Sequence, residues 1–296
     1  MDFADHPDHA AIRDTVAAIT RSFGSSYYST HAEGRIATDE LWGALAQQGF
    51  VGINLPERFG GGGAGLAELT LVCEETAAQG CPMLLLLVSS AISGEVIARY
   101  GSETQQQTWL PQLASGETRI VFAITEPDAG SNTHRLSTTA VHDGDDWILN
   151  GTKYYISGVD GAGAILVVAR TGTDERTGHG LLSLFLVPPD APGLTAQPLP
   201  VAAALPEQQF TLFFDGVRIG GDQLVGDEND GFTQVFHGLN PERITGAAIC
   251  VGIGRYALAR AAEYARGREV WGSRLARTRA CPIRWPRPRS KWNWLR

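Results

Sequence analysis

Residues 121–132 read Val-Phe-Ala-Ile-Thr-Glu-Pro-Asp-Ala-Gly-Ser-Asn, and this stretch constrains the fold more than any other. An apolar run in which Val121 and Ala123 can bury one face, as a half-exposed strand does, ends in a polar bend. Pro127 and Gly130 force a turn, which leaves the hydroxyls of Thr125 and Ser131 and free backbone N–H groups facing whatever lies across it. A planar ligand with polar edges suits that arrangement better than a packed core. About thirty residues on, Tyr154-Tyr155-Ile156-Ser157-Gly158 repeats the device, with an aromatic and a hydroxyl at a strand end.

The texture of the chain changes around this stretch. Apolar residues at helical spacing, such as Ile12, Val16, Ile19 and Phe23, predict helices over 7–30, 39–48, 66–79, 83–100 and 103–114. Thr38-Asp39 and Ser102-Glu103 serve as caps, and 49–56 forms a turn. Strands are predicted near 119–126, 137–142, 147–150, 164–170, 181–187 and 208–219, a spacing that implies a sandwich or small barrel. The polar segment 170–180 reads as a surface loop. Helix returns from Gly231 to Arg268 with interruptions, carrying a small-residue face that includes Ala248, Val251 and Ala257. The expected fold class is therefore α+β and multidomain. A helical N-terminal domain spans 1–117, a central β-barrel or sandwich 118–228 and an incomplete C-terminal helical bundle 229–272, with an atypical basic tail over 273–296.

With 43% hydrophobic and 19% charged residues, the chain can bury a sizeable core. Its net charge of −8 argues against a general affinity for nucleic acid or acidic membrane. The tail carries eight basic residues and no acid, which leaves 16 basic against 32 acidic residues before it. Cys73, Cys81, Cys250 and Cys281 lack C-x-x-C spacing and are expected to be buried apolar fillers, and no metal site is indicated. The acidic N-terminus does not fit a targeting signal, and no apolar run approaches the ~20 residues of a membrane span, so a cytoplasmic location is expected. Gly60 to Gly65 formally matches G-x-G-x-x-G, but it lacks the preceding strand and the later acid of a dinucleotide fingerprint and reads as a flexible loop. No G-x-S-x-G elbow is present, which argues against a hydrolase.

The two motifs resemble signatures of the acyl-CoA dehydrogenase family. The first is similar to its flavin-contacting Thr-Glu-Pro-x-Ala-Gly-Ser run, with Asn132 where Asp is usual. The second is similar to its Trp-Ile-Thr/Ser segment, with Tyr155 in place of Trp, and Asn150-Gly151-x-Lys153 lies between them as in the family. The resemblance covers residues 1 to 272. It implies a flavoprotein that introduces an α,β double bond into an acyl-CoA thioester, with FAD as cofactor and electron-transfer flavoprotein or a similar acceptor as partner. By motif match Phe122, Ile124, Thr125, Gly130, Ser131, Tyr155 and Ser157 would lie along the flavin, with Ser131 and Arg243 also touching substrate. Arg268 and Trp271 match the motif through which the family's neighbouring subunit reaches the cofactor, which implies a homo-oligomer, a dimer or tetramer if the bundle is complete. The alternative for Arg268 is a helix-end cation favoured by the dipole. Glu242, in Leu239-Asn240-Pro241-Glu242-Arg243, stands at one of the family's two positions for the catalytic base. Its alternative is a first-turn helix acid after Pro241.

After Trp271-Gly272 the chain becomes rich in Arg, Pro and Trp. Back-translation of Ser273 to Leu295 with GC-rich codons, read from the third base, permits Ala-Ala-Arg-Ala-His-Gln-Gly-Val-Ser-His-Pro-Leu-Ala-Gln-Ala-Lys-Ile-Glu-Val-Glu-Leu-Ala. That run is amphipathic and family-like, so a frameshift near codon 272 is expected to have replaced the natural C-terminus. Two alternatives stand beside an acyl-CoA dehydrogenase: an inactive truncated remnant, and a nucleic-acid-binding protein that uses its basic tail.

Overall fold

The computed structural model describes residues 6–277 of the 296. Most of the tail, with Cys281 and Pro282, therefore lies outside the described residues.

Helices α1 (Pro7–Gly34), α2 (Asp39–Ala46), α3 (Leu66–Ala78), α4 (Glu95–Tyr100) and α5 (Glu103–Ala114) make up the first third, as the periodicity predicts. Gly24, at φ 78, kinks α1. Ser102 and Gln105 close a reciprocal capping box at the start of α5, which satisfies two backbone donors of its first turn. The predicted helix over 83–100 differs in kind. Residues Leu86–Gly94 wind as a π-helix before α4 begins. Its three serines have distinct surroundings: Ser90 donates to the Val51 carbonyl, Ser89 accepts from the Ile120 N–H, and the buried Ser93 hydroxyl has no partner among the described residues. The Gly60–Gly65 segment is a loop, but a fixed one. Gly61, Gly62 and Gly63 donate their N–H groups to the carbonyls of Pro56, Gly52 and Leu55.

A mixed sheet of eight strands follows, in the order β6-β7-β3-β2-β4-β5-β8, with β1 pairing parallel to β4. The strands are β1 (Ile120–Ala123), β2 (Thr139–Asp143), β3 (Asp146–Ser157), β4 (Ala164–Thr173), β5 (Gly180–Val187), β6 (Leu194–Leu199), β7 (Gln209–Gly220) and β8 (Leu224–Val225). Strand β6 was not predicted, because its Leu-Thr-Ala-Gln-Pro-Leu sequence is half exposed along one edge and Pro198 reads as a breaker. β1 is shorter than expected: Thr125 and Glu126 fall in the bend beyond it.

Strand β4 is buried on both faces and β5 nearly so, which explains their near-continuous apolar sequences. Ile165, Val167 and Phe185 point into one core with the inner face of the sheet. Leu166, Val168 and Leu184 point into a second, where Val96, Leu110 and Val235 from the helices meet them. Full burial of one such side chain contributes about 1.5–3 kcal/mol.

Helix α6 (Gly231–Gly267) runs without the predicted interruptions, passing through Pro241. It packs on α3 so closely that a Cβ at Gly252 would overlap the Glu74 carbonyl and the Ala77 side chain. Arg13 of α1 and Arg255 of α6 both bond Glu74 and Glu75 of α3, all of it at least two-thirds buried. Cys73 and Cys81 are buried as expected, but Cys250 is exposed, because it falls on the outer face of α6. After α6, β9 (Glu269–Val270) and β10 (Ser273–Arg274) form a short hairpin.

Candidate active site

The two motifs meet where the ends of β1 and β3 come together, and they form one polar edge there. The Tyr154 N–H donates to the Thr125 carbonyl at 2.8 Å, which joins the bend after β1 to the end of β3. There β3 carries a bulge, its pairing with β7 shifting between Lys153 and Ile156. Inside the bulge Tyr155 adopts φ 59 and is 55% exposed. A large aromatic held in the left-handed region and turned to solvent is costly twice over, and such positions are kept where a ligand uses them. Phe122 and Ile124 alternate with the buried Val121 and Ala123 and are half buried, packed against the second core. Thr125 and Ser157 are half buried, while Gly130 and Ser131 lie exposed in the following turn. Ser157 donates its hydroxyl to Gln209 Oε1 at 3.0 Å.

Beneath this edge sits an ion pair that sequence reasoning passed over. Lys153 is fully buried, and its Nζ donates to Glu126 Oε1 at 2.9 Å and to the Ile124 carbonyl at 3.1 Å. Glu126 Oε2 accepts from both the N–H and the hydroxyl of Ser137, each at 2.7 Å, and Oε1 also accepts from the Thr138 N–H at 3.0 Å. Burial raises the Glu126 carboxyl, but Lys153 and these donors outweigh it and hold the group down at about 2. Burial also lowers Lys153, with Glu126 opposing. Both residues stand in the motifs, but spacing alone does not reveal that a Lys in a strand meets an acid in a distant turn.

Glu242 lies about three turns inside α6, beyond reach of the N-terminal dipole. The first-turn reading of this acid is therefore overturned: Pro241 sits within the helix and does not start it. Burial raises the Glu242 carboxyl, and Arg243 opposes the shift. Arg243 donates to Asn240 Oδ1 at 2.8 Å and stands 5.4 Å above the Phe236 ring. Arg268 and Trp271 are not brought to the other predicted residues within one protomer. They lie past the far end of α6, about 39 Å along its axis from Glu242. Trp271 is 96% exposed at φ 52.

A second buried acid, Glu207, also escaped the sequence reading. It is 6% exposed, its Oε2 finds no partner among the described residues, and burial pushes its carboxyl up to about 7. A shallow cleft between Arg58, Phe59, Glu103, Gln106 and Gln107 shares no residue with either motif. Among the described residues no group of three or more acids, histidines and cysteines is placed to hold a metal. No helix among them is long and apolar enough to cross a membrane.

Comparison with known proteins decides the family. The family models for the acyl-CoA dehydrogenase N-terminal, middle and C-terminal domains match residues 6–117, 121–217 and 229–284. The chain belongs to the acyl-CoA dehydrogenase family. Acyl-CoA dehydrogenase FadE12 of Mycobacterium tuberculosis is 48% identical over 271 residues, covering 92% of this chain and 70% of that relative. Glutaryl-coenzyme A dehydrogenase, solved with glutaryl-CoA, superposes with a TM-score of 0.92 at 28% identity, over 99% of this chain and 75% of that one. Glutaryl-CoA dehydrogenase from Mycobacterium smegmatis, solved with FADH2, gives 0.90 at 28% identity, over 98% and 74%. The acyl-CoA dehydrogenase relatives are oxidoreductases, and the helix–sheet–helix order is theirs too.

Proposed function

We propose that this chain is an FAD-dependent acyl-CoA dehydrogenase that converts an acyl-CoA thioester to its α,β-unsaturated form and passes the electrons to electron-transfer flavoprotein or a similar acceptor. One observation carries the reading: the strained, exposed Tyr155 shares an edge with the hydroxyls of Thr125 and Ser157. A flat aromatic beside two hydroxyls fits one face and the polar rim of an isoalloxazine, and Phe122 and Ile124, half buried before the bend, would line the same site. Thr125, Gly130, Ser131, Tyr155 and Ser157 would hold the flavin there.

When bound, FAD supplies the acceptor for the β-hydrogen, which leaves as hydride. Glu242 acts as general base. The thioester carbonyl makes the α-proton acidic, and the Glu242 carboxylate would take that proton. Partial burial tunes Glu242 upward, toward the range in which a carboxylate is an effective base near neutrality. Arg243, beside Asn240 and Phe236, would bind the CoA portion, and Ser131 would also touch substrate. Arg268 and Trp271 would serve a neighbouring subunit, in a homo-oligomer.

The test is purification of the full chain with FAD, followed by single-turnover bleaching of the flavin absorbance with a series of acyl-CoA thioesters. Bleaching that depends on Glu242 supports the reading. A chain that binds FAD but bleaches with no thioester points instead to an inactive remnant.

A further inference from the structure

We propose that Lys153 and Glu126 are positioning residues that lock the bend 125–131 and the bulge 154–157 into one frame, so that the cofactor-facing edge is set before any ligand arrives. The proposal rests on the flavin reading above and adds a cause for the geometry of that edge.

The two halves of the edge have no common ladder. β1 pairs with β4, whereas β3 pairs with β2 and β7. The backbone bond from Tyr154 N–H to the Thr125 carbonyl joins them at one point. Lys153 adds a second and a third, because its ammonium holds both the Ile124 carbonyl and Glu126. Glu126 in turn gathers the Ser137 N–H, the Ser137 hydroxyl and the Thr138 N–H, which pins the far side of the turn that carries Gly130 and Ser131. Gly151 presses against residue 138 from β3. At φ 145 it has room for no side chain, since a Cβ would stand 2.6 Å from the Thr138 Cα. One cation and one carboxylate thus fix the start of the bend, its end and the bulge.

Stability alone does not explain the pair. A buried ion pair gains little over apolar residues of equal volume, because desolvation of both charges offsets their attraction. Five hydrogen bonds with defined directions do what apolar contacts do not: they select one backbone arrangement. The strained Tyr155, two residues from Lys153, is the residue that needs such enforcement.

The experiment uses the full chain and three variants: Lys153→Met, Glu126→Gln/Lys153→Met and Ser137→Ala. Readouts are amide exchange over 125–138 and 154–158, FAD affinity from quenching of flavin fluorescence, and thermal melting. Expected is faster exchange in these two segments, with the rest of the sheet protected, and a rise in the FAD Kd of about tenfold for the double variant. Ser137→Ala should give a smaller rise, and it folds even if Lys153→Met alone, which strands a buried carboxylate, does not. A double variant that folds and binds FAD as tightly as the native chain overturns the proposal. So does loosening spread evenly over the whole sheet. If the native chain itself has no affinity for FAD, the flavin reading fails, and the brace is then judged by exchange alone: loosening confined to the two segments upholds it, and unchanged protection there overturns it.

Discussion

Ser157 and Gln209 face each other across the β3–β7 pair, and the serine hydroxyl donates to Gln209 Oε1 at 3.0 Å. The same hydroxyl is the one the motif assigns to the cofactor, so Gln209 sets the direction from which it must turn or be shared. Ser157→Ala should weaken FAD binding by about tenfold, the effect of one lost hydrogen bond in a half-buried site. Gln209→Leu should leave the hydroxyl free and change affinity less. Titrating both variants with FAD checks this, and equal losses would make Gln209 as important as Ser157.

Glu242→Gln should keep FAD while slowing turnover by about 10²–10⁴-fold, the range for loss of a general base. Stopped-flow reduction with acyl-CoA separates that outcome from a binding defect. Unchanged reduction would move the base elsewhere.

Glu207 makes stability fall as pH rises. Its folded carboxyl sits at about 7, against about 4.3 in the unfolded chain, so between those values the folded state holds more protons. The stabilisation is complete below about pH 4.3 and is lost as pH rises through 7. Urea midpoints for the native chain should therefore drop between pH 5 and 8 relative to Glu207→Gln, which keeps the shape without the titration. Parallel profiles would show that the buried carboxyl is solvated on opening or paired in solution.

The cluster of Arg13, Glu74, Glu75 and Arg255 is structural. Arg13→Ala should cost about 3 kcal/mol, because it leaves buried carboxylates short of a cation. Arg255→Ala should cost less, since Arg255 is 30% exposed and Arg13 remains. Chemical denaturation of the two variants, in the same buffer, gives the order directly.

The nucleotides from codon 265 onward offer a test that needs no protein. An alternative frame should continue as His-Gln-Gly and then amphipathic helical sequence. A gene with no such frame makes the basic tail native.

Much of this was legible in the sequence, and the exceptions have physical reasons. Helix periodicity and the apolar runs of β4 and β5 located their elements to within a few residues, because burial on one or both faces leaves a direct trace in the order of residues. The π-helix left none: its residues are as apolar as those of a buried α-helix, and the different winding lies in the backbone hydrogen bonds, which no residue type announces. Thr125, Tyr155 and Ser157 were visible as hydroxyls and aromatics at strand ends. The roles of Lys153, Glu126, Gln209 and Glu207 were not, since each depends on a partner or on an enclosure made by residues remote in the chain. Cys250 was misjudged for the same reason, because a helix's outer face is defined by what fails to pack against it.

The bonds from Arg255 to Glu74 and Glu75 span about 180 residues of chain. At roughly 5–20 residues per second on the ribosome, α3 is made some ten to forty seconds before the cation that completes its acid pair. Over that interval α1, through Arg13, is the partner already at hand, and the groove that will receive Gly252 stays open. The nascent N-terminal helices are thus left waiting on α6, and a delay or stall before it is made falls on the part made first.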